Sequence, residues 1–158
     1  MTPGGEDMAE QPDVSAAHSF TERLFNQGEL SLIEERVAED VILRTPATPT
    51  GRGRDAYRAA VTRLLIAFTD FTIQIDETFE EGGLVAVRGE VAGTHTGEFL
   101  GQPPTGRRFR TAWLSVSRLR DGLIQESWLM WDTLAVASQL GLVARAAPAR
   151  PTAYAPDP

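Results

Sequence analysis

The chain contains no cysteine among its 158 residues, so it forms no disulfide, holds no metal through thiolate and has no cysteine nucleophile. A cysteine-free composition fits a reducing compartment, and a cytoplasmic location is expected. No apolar run approaches the roughly 18 residues that a membrane-spanning helix needs. The first residues, Met1 to Asp13, are polar and acidic, unlike a secretory signal. Basic charge is outnumbered, with 15 Lys and Arg against 22 Asp and Glu, a net charge of −7. That field repels phosphate backbones, so neither nucleic acid nor membrane is an expected partner. The local arginine groups, Arg52 with Arg54 and Arg107 with Arg108 and Arg110, read as solvated turn and strand-end charge. No H-x-H, HExxH or carboxylate–histidine cluster offers a metal set. No G-x-S-x-G elbow or G-x-G-x-x-G loop is present, and Gly51-Arg52-Gly53 is too short for a dinucleotide site. The expectation is therefore a chain without metal or cofactor.

What is present suits one globular domain, with 42% hydrophobic and 23% charged residues. Residues 1–13 and the Pro/Ala-rich 144–158 have no apolar period and are expected to be disordered tails around a domain at 14–143. Ala17, Phe20, Leu24 and Phe25 share one face of a helix over Val14–Asn26, stopped near Gly28. A second short helix is expected over Leu30–Val37, with Ser31 as its cap, and a short strand over Val41–Arg44. Thr45–Arg54 reads as a Pro/Gly loop, and Asp55–Phe68 as a third helix. From Phe71 the period changes to two. Strands are expected from Phe71 to the Glu80–Gly83 turn, over Leu84–Thr96, over Arg107–Leu119 and over Leu123–Asp132, before a terminal helix Thr133–Leu140. Helices followed by hairpin-linked strands predict an α+β fold: a curved antiparallel sheet packed against three N-terminal helices and enclosing a pocket.

Several of these segments carry a family resemblance. They are Asn26-Gln27-Gly28-Glu29-Leu30, Gly93-Thr94-His95-Thr96-Gly97-Glu98-Phe99-Leu100-Gly101, Pro103-Pro104-Thr105-Gly106 and the closing Trp128, Trp131-Asp132-Thr133 and Gln139-Leu140-Gly141. Together they resemble the SnoaL-like polyketide and ester cyclases over about Ala16 to Val143. The resemblance implies the cone-shaped α+β barrel of the nuclear transport factor 2 type. It also implies homodimerisation through the outer face of the sheet. It further implies cofactor-independent closure of a polyketide-like small molecule with an aspartate as acid and base.

Asp132 is the aspartate that matches. Strand alternation places it with Trp128 and Met130, opposite Ser127, Leu129 and Trp131. If that face is the apolar interior, desolvation raises the carboxyl's pKa and suits it to proton transfer. The alternative is that Asp132 caps the terminal helix it directly precedes. His95, at a strand end, is a candidate to hydrogen-bond a substrate carbonyl, or else it satisfies backbone groups there. Trp113, Ser115 and Ser117 share a strand face that suits a pocket for an aromatic guest. Arg44 is expected near the mouth, where it could hold an anion or stand on the surface. Relatives often carry a histidine near Arg44 and another at Ser127, and this chain has neither. Tyr57, Phe99 and Leu100 are read as lid or core, and Phe20, Leu24, Val61, Leu64 and Leu65 as core. The expected activity is an aldol-type cyclisation. Closure of an oxygen heterocycle, assistance to a hydroxylation and ligand binding without turnover remain open.

Overall fold

Val14–Asn26 forms helix α1 in the computed structural model. The described residues are 14–46 and 48–143, and the tails expected at 1–13 and 144–158 lie outside them. Helix α1 buries Thr21, Leu24 and Phe25 and ends at Gly28, whose φ of 68° is the left-handed conformation glycine adopts without strain. Asn26 anchors that end to the sheet: its amide donates to the Ile73 carbonyl at 2.9 Å and accepts from the Ile73 N–H at 2.7 Å. Helix α2 is only Leu32–Arg36. Ser31, the expected cap, has helical dihedrals and makes no capping bond.

Strand β1 follows at once as Val37–Thr45, longer than expected, and β2 runs Thr48–Arg52. The loop expected at 45–54 is thus largely a strand. Proline misled the reading: Pro49 is tolerated because β2 is an edge strand that pairs only with β1. Helix α3 is Arg54–Ala67, and β3 to β6 run Thr72–Glu81, Leu84–Thr94, Arg108–Arg120 and Leu123–Trp131. Helix α4, Thr133–Leu140, closes on Gly141 at a φ of 75°.

The six strands lie in the order β2-β1-β6-β5-β4-β3, a curved and unclosed sheet with β2 and β3 at its edges. All pairs are antiparallel except β1 with β6, which run parallel, a departure from the purely antiparallel sheet expected. Irregular registers at Ile75/Glu77 and Arg118/Leu119 bend the strands. At Gly89, opposite the first of these, a Cβ would lie 2.0 Å from the Gln74 carbonyl oxygen, so only glycine fits. Phe68 is the hub of the core. Its ring centroid lies 4.8 Å from Phe109, 5.0 Å from Phe99, 5.8 Å from His95 and 6.3 Å from Trp131, and it is fully buried.

Candidate functional site

The concave side of the sheet does not close completely on the helices. It leaves a cavity of about 860 Å³ between α1, α3 and strands β4 to β6. Phe20 and Phe25 of α1, Trp113 of β5 and Leu129 of β6 give it apolar walls. Its opening lies at the tips of two hairpins, where Glu81, Gly82, Asp121 and Gly122 are exposed. A volume of this size is in the range that holds drug-sized organic ligands, about 300–1,000 Å³.

Polar groups enter this interior from four elements, Thr21 of α1 among them. Tyr57 projects from the buried side of α3, and Ser115 and Ser117 alternate with outward residues along β5. Ser127 faces them from β6, paired in register with Ser117. The Ser117 and Ser127 hydroxyls are 3.0 Å apart, within hydrogen-bond reach of each other. Tyr57 and Ser127 are each 1% exposed. Burial pushes the Tyr57 phenol well above the usual tyrosine range, partly offset by Ser127. The phenol therefore stays protonated at every physiological pH. Among the described residues the charged groups that line the cavity, Arg36, Glu80, Glu81, Arg120 and Asp121, stand at its rim, and none of them is buried.

Of the residues expected here, Trp113, Ser115 and Ser117 are brought together in the lining. The expected inward face of β6 is corrected. Ile124, Ser127 and Leu129 face the cavity, while Trp128, Met130 and Asp132 lie on the other side. Asp132 is exposed, outside the lining, and its Oδ1 accepts the Ala135 N–H at 2.8 Å as the cap of α4. Met130 is 48% exposed. Arg44 stands on the outer face, not at the mouth. Its guanidinium pairs with Glu126 at 2.9 Å and lies over the Trp128 ring at 5.9 Å. His95 is fully buried beside Phe68 and Phe99 rather than in the cavity wall. Its Nδ1 accepts the Thr105 N–H at 3.2 Å, and its Nε2 has no hydrogen-bond partner among the described residues. Sequence reasoning missed Tyr57 and Ser127 as site residues. The signal available for Tyr57 was a lone phenol on the buried stripe of a helix, where a hydroxyl needs a partner.

Comparison with known proteins places the fold. Residues 15–140 match the family model for SnoaL-like polyketide cyclases. The chain belongs to that family. Among SnoaL-like relatives, the aklanonic acid methyl ester cyclase DnrD of Streptomyces peucetius is 38% identical over 95 residues. That match covers 59% of this chain and 65% of DnrD, so it spans less than two thirds of the relative's length. The solved structure of IdmH from Streptomyces antibioticus superposes with a TM-score of 0.70 at 34% identity, covering 82% of this chain and 99% of IdmH. TsrD from Streptomyces laurentii gives a TM-score of 0.73 at 26% identity over 88% of this chain and all of its own. Among the described residues no helix of this SnoaL-like chain is long and apolar enough to cross a membrane, and no three His, Asp or Glu side chains converge as a metal site.

Proposed function

We propose that the cavity is the active site of a cofactor-independent cyclase acting on a polyketide-like small molecule. The observation that carries this reading is a set of hydroxyls, Tyr57, Ser115, Ser117 and Ser127, inside a cavity of about 860 Å³ that has aromatic walls and its charged residues at the rim. A carbon between two carbonyl groups is acidic, and its enolate spreads charge over several oxygens, so little catalytic push is needed to form it. The larger task is to fold a flexible chain until carbanion and carbonyl carbon meet. An apolar mould does this by holding a near-attack geometry. As the new C–C bond forms, the carbonyl π pair moves onto oxygen, and hydroxyl donors nearby steady that charge in a water-poor interior. The product is an isomer of the substrate: the proton leaves carbon for a carboxylate at the rim, Glu80, Glu81 or Asp121, and is returned to the new alkoxide oxygen.

Aklanonic acid methyl ester, the compound in the relative's name, is the first substrate to try. Chromatography with mass spectrometry should show a new species of unchanged mass, formed faster with protein than without. Saturable binding without such a product would make this a binding domain instead. Asp132→Asn separates two versions of the mechanism, because asparagine still caps a helix but cannot exchange a proton. On this reading turnover survives the substitution. A fall of a hundredfold or more, about the worth of a general acid or base, would return the role to Asp132.

We also propose that two copies associate through the convex side of the sheet. Leu114 and Met130 are 41% and 48% exposed there, beside Val116 and Trp128 on the same side of β5 and β6. Neighbouring apolar groups of this kind favour a partner surface. Sedimentation should give a dimer for the native chain and a monomer for Leu114→Glu.

A further inference from the structure

We infer that Glu80 is the base of this reaction, the carboxylate that takes the proton from the carbon acid. The inference rests on the cavity being the cyclase active site, and it selects one of the three acids at the mouth.

The selection follows from strand register. Residues paired across adjacent strands project to the same face of a sheet. Glu80 of β3 pairs with Val85 of β4, Val85 with Ser117 of β5, and Ser117 with Ser127 of β6. All four line the cavity, so this row crosses its inner face with a carboxylate at one end and two hydroxyls at the other. Glu81 belongs to the next row, with Leu84, Arg118 and Glu126. That row is on the outer face, where Arg44 pairs with Glu126. Asp121 is in an exposed turn, at a φ of 52°. Of the three acids, Glu80 alone is half-buried. Among the described residues no ion pair or side-chain hydrogen bond holds it. Its strand neighbours Glu77 and Glu90, by contrast, are bound to Arg88 and Arg110. The Glu80 carboxylate is therefore free to meet a guest.

The spacing suits the chemistry. Neighbouring strands lie about 4.8 Å apart, so two steps put the Glu80 and Ser117 backbones roughly 10 Å apart, with the apolar Val85 between them. In an aldol closure the C–H that is lost and the carbonyl oxygen that becomes an alkoxide stand on either side of the new bond. Base and donor must then be separated but share one face. Glu80 takes the proton, and the C–H bonding pair becomes the enolate. The enolate carbon joins the carbonyl carbon, whose π pair moves onto oxygen beside the Ser117 and Ser127 hydroxyls. Solvent water at the open mouth carries the proton from the Glu80 carboxylic acid to that alkoxide. Carbon loses one proton, oxygen gains one, and the Glu80 carboxylate is restored.

The test is deuterium uptake in D2O at the central carbon of benzoylacetone, a 1,3-diketone, read by mass spectrometry of quenched samples. Uptake needs proton removal but no ring closure, so it isolates the base. Binding is followed in parallel by the probe's absorbance. The native protein should accelerate uptake. Glu80→Gln should slow it on the order of a hundredfold while Kd moves less than about threefold, the signature of a lost general base. Glu81→Gln and Asp121→Asn remove the same charge from the same mouth and should each lose at most about fivefold, the worth of an exposed charge. Glu80→Ala should be as slow as Glu80→Gln, and added formate should restore rate in Glu80→Ala but not in Glu80→Gln, whose amide fills the space. A near-native rate in Glu80→Gln, equal losses in all three single variants, or formate acting alike on both Glu80 variants would overturn the assignment of Glu80 alone. A native protein that fails to bind the probe saturably, or binds it without speeding uptake, would overturn the active-site reading and this inference with it.

Discussion

Replacing Phe68 with alanine tests whether the aromatic cluster around it holds the domain together. Phe68 is fully buried and has ring contacts with Phe71, His95, Phe99, Phe109 and Trp131, at centroid separations of 4.8 to 6.4 Å. Truncating a buried Phe to Ala costs about 3–5 kcal/mol, through lost transfer energy and the cavity left behind. The upper half of that range is expected because Phe109 and Trp131, two of the surrounding rings, are held by β5 and β6 and cannot collapse inward. Domains of this size have about 5–15 kcal/mol in total, so the variant stays folded but marginal. In urea, with a slope of about 1–3 kcal/mol per molar, the midpoint should fall by roughly 1.5–3 M with the slope unchanged. The thermal midpoint should fall by about 10–20 °C. Benzoylacetone binding at low temperature should persist, because Phe68 is absent from the cavity lining. A loss below about 1.5 kcal/mol would refute the placing of Phe68 at the centre of the core.

Three further outcomes follow from single contacts. Gly89→Ala should cost about 1–3 kcal/mol in chemical denaturation, because its Cβ would meet the Gln74 carbonyl oxygen at 2.0 Å and force β3 and β4 apart. Asp70 accepts the Thr94 hydroxyl at 2.8 Å, and this bond, with the Thr94 N–H and Arg108 also contributing, holds its carboxyl below the usual range. Its stabilising effect is therefore present above the unfolded value of about 3.9 and lost as pH falls through the folded one. Asp70→Asn should be less stable than the native chain at pH 7, with the gap closing in acid; a gap that persists at pH 2 would contradict this. In a Tyr154→Phe background Tyr57 is the sole tyrosine, and its ultraviolet ionisation should not occur near pH 10 but only with unfolding in stronger alkali.

The helices and strands were legible where period and punctuation agreed. The apolar stripe of α1 ended at a glycine, and Gly82-Gly83 and Asp121-Gly122 marked hairpins whose flanking strands alternate. The second strand was hidden because Pro49 and Gly51 argue for a loop unless the strand is known to be an edge. The inner side of β6 was hidden for another reason. Ser127, Leu129 and Trp131 alternate with Trp128, Met130 and Asp132, and each set has two large apolar members. Period two therefore reports that the strand has two faces but not which one meets the core. That choice is made by pairing with β5, where the register shifts at Arg118/Leu119, and no local pattern shows it. Tyr57 and Ser127 became a site only because residues 70 positions apart line one cavity, which sequence spacing cannot anticipate.

The location of the opening has an evolutionary consequence. Gly82-Gly83 and Asp121-Gly122 are reverse turns, and their residues project into solvent instead of supporting the aromatic cluster. Turns accept insertions and exchanges that strands would reject. Lengthening either one would narrow, widen or redirect the doorway while the scaffold behind it stayed as it is. Such a molecule can acquire a taste for new guests by editing its threshold alone.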